Sequence, residues 1–264
     1  MQANKLFDLG GKVALVTGGS RGIGFQMAEA LGEMGCKLAI SARKQHELDA
    51  ASAALRRTNI EVLTIAKDLG AATADAAASL VGAVLDRYGK IDILVNNAGT
   101  VWGASAIEHS PEAWRKVMGL NVDACFHVAR EVARRSMIPN NSGKIINIAS
   151  IAGFGGSRPD GGVFSVAYNT SKGALITLTQ ALATEWGKHN INVNAVAPTF
   201  IRTDGTQPVL SDPQFYADTV ERIAALHRIG EPIEVAGAVV FLASPAASLI
   251  TGHTLLIDGG WTAR

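Results

Sequence analysis

The sequence predicts an α/β protein in which one seven-stranded parallel sheet is doubly wound, with helices on both faces. Three observations predict it. Short, β-rich apolar runs recur at residues 12–18, 37–41, 61–66, 91–97, 144–150, 191–198 and 253–258. Stretches with helical spacing lie between most of them, at 22–35, 45–57, 73–89, 111–137 and 168–190. The strand runs also lack strict polar/apolar alternation, as expected of strands joined by helical crossovers and covered on both faces. No linker divides the chain, so residues 1–264 are predicted to form a single domain, long by the usual measure but within the reach of α/β units.

Composition narrows the function. Hydrophobic residues make up 48% and charged residues 18%, with net charge +1, so no strong field exists for nucleic acid or an anionic membrane. Only Cys36 and Cys125 are present, which argues against a disulfide-stapled secreted fold and predicts core thiols in a reducing compartment. The segment "MQANKLFDLGGK" has no basic stretch followed by an apolar one, and no run approaches about 18 apolar residues. A soluble cytoplasmic protein is expected, with no nucleic-acid or membrane partner. The six histidines show no close metal-ligand spacing, and neither cysteine belongs to a Cys-x-x-Cys pair, so no metal is expected.

Taken in order, the first strand "KVALVTG" runs into "TGGSRGIG" (17–24), which opens the first helix. That context makes the glycines informative. Gly18 permits the turn, Gly22 and Gly24 allow close backbone approach, and the helix N-terminus offers N–H groups to a pyrophosphate. The expected architecture is therefore a dinucleotide-binding Rossmann fold. The second strand, "KLAIS", ends in "SARK" (41–44), the third is followed by "KDL" (67–69) and the fourth by "NNAG" (96–99).

The fifth strand, "KIINIAS", places Ser150 at its C-terminal end, where ligands of open α/β sheets bind. The next helix begins with Tyr168 and Lys172, four residues apart and so on one face. Leu175, Leu178, Leu182 and Trp186 follow as an apolar stripe, expected in the core or at a subunit interface. Glycine, proline and polar residues break the pattern at 154–164 and 200–216, which marks residues 151–167 and 199–227 as candidate substrate loops.

The glycine turn, "NNAG", Asn121, Ser150, Tyr168 with Lys172, and "IDGG" (257–260), in that order, resemble the short-chain dehydrogenase/reductase family over almost the whole chain. Within it, the stretch from Tyr168 to Pro198 is similar to that of gluconate 5-dehydrogenases and 3-oxoacyl reductases. The resemblance implies a catalytic tetrad of Asn121, Ser150, Tyr168 and Lys172. It implies a nucleotide site formed by Gly18, Ser20, Arg21, Gly22, Ile23, Gly24, Arg43, Asp68, Leu69, Asn97, Ala98 and Gly99. Tyr168, Lys172, Pro198, Thr199, Ile201 and Thr203 complete it on the nicotinamide side. Asn96 is expected to be structural.

An NAD-selective relative typically carries an acid where this chain has Ala42. With that acid missing, Arg43 and Arg21 are placed to converge on a ribose 2′-phosphate through planar, multidentate donation, which favours NADP(H) over NAD(H). A free phenol ionises at about pH 10, so acid–base work by a tyrosine calls for a positive neighbour, here Lys172. The resemblance then implies reduction of a ketone or 3-oxo group to a secondary alcohol, or the reverse. Tyr168 would exchange the proton, Ser150 polarise the oxygen, Lys172 hold the nicotinamide ribose and Asn121 position a relaying water.

Two departures from the family pattern stand out. Ser150 and Tyr168 lie 18 positions apart, several more than usual, and Thr199 replaces a customary glycine. Phe154, Arg158 and Phe164, with Val101 and Trp102 opposite, are candidate substrate walls. A homotetramer built through two long helices and the last strand is also implied, with a small carbonyl or alcohol as substrate. Two alternatives remain: an NAD-dependent sugar-alcohol or steroid-type dehydrogenase, and a non-catalytic dinucleotide-sensing protein, which would be free to lose the serine, tyrosine or lysine.

Overall fold

Successive side chains of a strand leave opposite faces of its sheet, and in this chain both faces are apolar. The computed structural model describes residues 3–71, 73–156 and 165–263. Its strands are β1 (Val13–Thr17), β2 (Lys37–Ala42), β3 (Val62–Ala66), β4 (Ile93–Asn96), β5 (Gly143–Ile148), β6 (Ile191–Pro198) and β7 (Thr254–Ile257). They form one sheet in the order β3-β2-β1-β4-β5-β6-β7, with every pairing parallel. Strand order reverses between β1 and β4. This is the switch point beyond whose strand ends a dinucleotide binds.

The helices are α1 (Gly22–Glu33), α2 (Gln45–Arg57), α3 (Ala74–Tyr88), α4 (Pro111–Met118), α5 (Ala124–Val132), α6 (Val166–Trp186), α7 (Gln207–Leu210), α8 (Pro213–Arg222) and α9 (Pro232–Ala243). On one face of the sheet, Val16, Leu38, Ile40 and Val95 pack with Met27 and Leu31 of α1, Leu48 and Leu55 of α2, and Val239 and Leu242 of α9. On the other, Leu15, Ala39 and Leu94 pack with Leu80 and Val84 of α3, Val128 and Val132 of α5, and Leu182 and Trp186 of α6. Neighbours such as Leu15 and Val16 enter different cores, so the strands read as continuous apolar runs.

The structure corrects several expectations from the sequence. The predicted helix 111–137 is α4 and α5 joined and extended by π-helical turns at Gly119–Asp123 and Ala133–Met137. Residues 200–216 are not plain loop, since α7 and α8 form there; Ile201 bridges to Gly230 at the far end of the excursion. Leu210, Ile223 and Ile229 give this cap its own small core, flanked by Phe200, Phe215 and Trp261. Helix α9 went unmarked because it is apolar almost all round, a pattern that periodicity cannot separate from a strand. Its start is secured by Pro232 and a Glu231/Glu234 capping box.

The apolar stripe of α6 belongs to the core: Leu175, Leu182 and Trp186 are buried and Leu178 is half-buried. It is not free to face another subunit. Among the described residues, no helix is long and apolar enough to cross a membrane.

Candidate active site

The C-terminal ends of β1 and β4 must approach closely for one cleft to span them, and polar side chains hold them there. Thr17 Oγ1 accepts the backbone N–H groups of Asn97 at 3.0 Å and Ala98 at 3.1 Å. Asn97 Nδ2 donates in return to Thr17 O and Gly18 O, both at 3.0 Å. Helix α1 closes against this knot. A Cβ on Gly24 would collide with Gly18 O and Asn97 Nδ2, so only glycine fits, and Gly18 and Gly22 sit at φ +65° and +56°. The sequence reading assigned Gly22 to close approach; in the structure its need is conformational. Helix α1 opens without a side-chain cap, leaving its first N–H groups free for an anion.

A cleft of about 310 Å³ lies over this turn. It is lined by Gly18, Ser20, Arg21, Gly22, Ile23, Gly24, Arg43, Asp68, Leu69, Asn97, Ala98, Gly99 and Thr203, each marked from the sequence. Ala42, Lys44, Glu47 and Lys67 also line it and were not marked. The cradle that a Cβ would fill, the uncapped helix and the basic rim fit a dinucleotide carrying a further phosphate. Pro198, Thr199 and Ile201 lie outside the cleft lining, at the end of β6 and just beyond, and Thr199 carries a buried Oγ1 without a hydrogen-bond partner.

Ser150, Tyr168 and Lys172 lie outside the cleft lining, just past β5 and near the start of α6. Ser150 stands two residues beyond β5 and caps a short 3₁₀ turn, its Oγ accepting from Ala152 N at 3.1 Å. With one lone pair taken, its hydroxyl hydrogen is left to donate. That turn packs onto α6 so tightly that a Cβ on Gly153 would stand 2.7 Å from the Lys172 carbonyl carbon. Lys172 is 5% exposed, donates to Ile148 O at 2.6 Å, and holds its Nζ 5.5 Å from the centre of the half-buried Tyr168 ring. A buried ammonium needs such compensation.

Asn121 lies in the first π-helical turn and is fully buried. Its side chain is spent on the scaffold: Oδ1 accepts from Thr100 N at 2.8 Å, and Nδ2 donates to Thr100 O and Ser171 Oγ, both at 2.9 Å. It joins the segment after β4 to the second turn of α6. Asn96 is structural: Nδ2 donates to Asn147 Oδ1, Asn147 Nδ2 to Thr179 Oγ1, and Thr179 Oγ1 to Leu175 O, a buried relay from β4 through β5 to α6. Asn147, Thr179, Thr17 and Ser171 were missed, although a lone asparagine in the apolar run "KIINIAS" signalled the first.

The longer Ser150–Tyr168 connection leaves these elements in place. Asn169 Nδ2 donates to Gly155 O at 2.7 Å, and Ser165 bridges to Ala104, so the ends of the insertion are tied. Phe154, Val101 and Trp102 are exposed at this mouth. Arg158 and Phe164 lie outside the described residues.

Known proteins share this layout. A family model described as "Enoyl-(Acyl carrier protein) reductase" matches residues 18–262. The 2-dehydro-3-deoxy-D-gluconate 5-dehydrogenase of Dickeya dadantii is 40% identical over 260 residues, covering 98% of both chains. The gluconate 5-dehydrogenase of Gluconobacter oxydans is 38% identical over 97% of both. The crystal structure of a gluconate 5-dehydrogenase from Burkholderia cenocepacia, in complex with NADP and tartrate, superposes with a TM-score of 0.92 at 33% identity and full coverage of both chains. This chain belongs to the short-chain dehydrogenase/reductase family. Like the relatives named for alcohol oxidation, it is an oxidoreductase acting on CH–OH groups.

As a member of that family it has no reactive thiol near its cleft. Burial pushes Cys36 up to about 12 and Cys125 up to about 11, so both stay protonated at neutral pH. The cleft depends instead on the Thr17 knot. Replacing Thr17 with valine strands two backbone donors, and we expect a loss of about 1–3 kcal/mol in urea unfolding together with a raised Kd for NADP. A variant with unchanged stability and unchanged Kd would show that the knot is dispensable.

Proposed function

We propose that this short-chain dehydrogenase/reductase interconverts a keto group and a secondary alcohol on a sugar acid, with NADP(H) preferred over NAD(H). The observation that carries the reading is the buried Lys172 beside the Tyr168 ring, on the helix against which the turn capped by Ser150 packs. The sugar-acid class is supported by relatives named for gluconate and 2-dehydro-3-deoxy-D-gluconate, and by tartrate, a hydroxy acid, bound to the Burkholderia protein. NADP bound to that same protein and the arginines rimming this cleft support the cofactor.

Bound NADP(H) supplies or accepts the hydride. In reduction, Tyr168 donates its phenolic proton to the carbonyl oxygen, and the Ser150 hydroxyl donates a hydrogen bond to the same oxygen as charge develops there. Lys172 has three donors and spends one on Ile148 O. The other two serve the nicotinamide ribose, while its charge stabilises the phenolate left on Tyr168. Asn121 fixes the start of α6 and, through its backbone carbonyl, the water that returns a proton to Lys172. In oxidation the same groups act in reverse. The segment 199–227, which has a small core of its own, closes over the substrate, with Phe154, Val101 and Trp102 as walls.

The reading extends to assembly and location. The protein acts in the cytoplasm as a homotetramer whose contacts use half-exposed apolar residues such as Phe126 on α5 and Leu256 on β7, in place of the buried α6 stripe. Light scattering is expected to give four times the chain mass, and a monomer would refute the assembly.

A panel of keto-acids, keto-sugars, 3-oxoacyl thioesters and simple ketones followed by NADPH absorbance tests the substrate class; keto-acids are expected to lead. Tyr168→Phe should keep NADPH affinity and lower kcat by about 10²–10⁴-fold. Substantial residual turnover, or a preference for thioesters, would overturn the corresponding part. Arg43→Ala should narrow the kcat/KM advantage of NADPH over NADH, and equal efficiencies in the unaltered enzyme would sink the cofactor preference.

A further inference from the structure

Two acids lining the cleft, Glu47 and Asp204, are used by neither the family resemblance nor the mechanism, and Glu47 is the one ion-paired with the basic rim. Glu47, in the first turn of α2, keeps 21% of its side chain exposed and faces the same cleft as Arg21, Arg43 and Lys44. Both of its oxygens are engaged. Lys44 Nζ lies 3.1 Å from Oε1; Ser20 Oγ donates to Oε2 at 3.3 Å, and Arg21 Nε approaches Oε2 to 3.9 Å. The hydrogen bond from Lys44 leads the influences that hold its carboxyl below the usual carboxylate range, ahead of the Arg21 and Ser20 contacts. The following residue, Leu48, is fully buried, so the backbone here is anchored and the carboxylate can leave only by a side-chain rotation.

A hydroxyl, a guanidinium and an ammonium converging on one anionic group make the donor set that a phosphate monoester takes. Ser20 and Arg21 come from the glycine turn, and Lys44 from the segment after β2, the two edges between which an adenosine ribose would lie. We propose that Glu47 stands in for the 2′-phosphate in the free protein and thereby limits how strongly NADP(H) is preferred over NAD(H). A 2′-phosphate must displace the carboxylate from Ser20, Arg21 and Lys44 and then sit beside a like charge. A 2′-hydroxyl leaves Glu47 where it is, as an acceptor. The acid missing at Ala42 thus returns from the helix, five positions further on. This inference rests on the 2′-phosphate reading of Arg43 and Arg21 given above.

The test uses adenosine 2′,5′-bisphosphate and adenosine 5′-monophosphate as probes, which differ at the 2′ position and involve no turnover. Their Kd values are measured by titration calorimetry for the unaltered protein, Glu47→Gln, Glu47→Ala and Arg43→Ala, with thermal melting as the folding control. Removing the charge at Glu47 is expected to tighten the bisphosphate by about three- to tenfold at low salt and not to tighten the monophosphate. The gain should shrink as salt is raised. Bisphosphate binding that is unchanged or weaker in both Glu47 variants, or an equal tightening of both probes, would overturn the proposal. If Arg43→Ala leaves the ratio of the two Kd values unaltered, the 2′-phosphate reading itself fails, whichever way Glu47 behaves.

Discussion

The structure depends on a short polar knot where β1 and β4 end. In a parallel sheet the strand ends carry unpaired backbone groups, and here the order reverses, so the two ends would otherwise splay apart. Thr17 Oγ1 and the Asn97 side chain satisfy four backbone groups across that gap: the N–H groups of Asn97 and Ala98, and the carbonyls of Thr17 and Gly18. The same Asn97 amide, together with the Gly18 carbonyl it bonds, forbids a side chain at Gly24. One interaction therefore fixes the glycine turn, the start of α1 and the floor of the cleft.

The proposed proton-transfer residues are held by a different device. A charged lysine is buried against a main-chain carbonyl, where its cost is offset by Ile148 O and the Tyr168 ring. The Asn96–Asn147–Thr179 relay ties this region to β4, so the nucleotide cleft and the proposed proton-transfer residues are carried by one sheet. In the proposed function, specificity is left to what lies outside the sheet: the α7–α8 cap, Phe154 and Trp102, and the charged rim at α2.

Much of this was legible in the sequence because it is written locally. Seven apolar runs became seven strands since burial on both faces demands such runs, and "TGGSRGIG" was readable because φ above zero and close approach restrict positions to glycine. Tyr168, Lys172, Ser150 and Asn121 were marked as candidates by their order along the chain. What stayed hidden depends on distant partners. Thr17 looks like any strand-ending threonine until Asn97 is beside it, and Thr179 like a break in an apolar stripe until Asn147 reaches it. Helix α9 has no polar face to set its period, and α7 and α8 sit in a stretch rich in turn residues. Glu47 carries no motif; only the fold places it among Ser20, Arg21 and Lys44.

The joining of the nucleotide cleft and the proposed proton-transfer residues into one hydride-transfer site is the central claim, and a crystal structure of the NADP complex tests it most directly. The nicotinamide is expected between Tyr168 and the Pro198–Thr203 segment, with Lys172 Nζ on the ribose hydroxyls and the phenol oxygen beside the reactive face of the ring. A nicotinamide that lies outside this space, with Lys172 bonded only to Ile148 O, would contradict it.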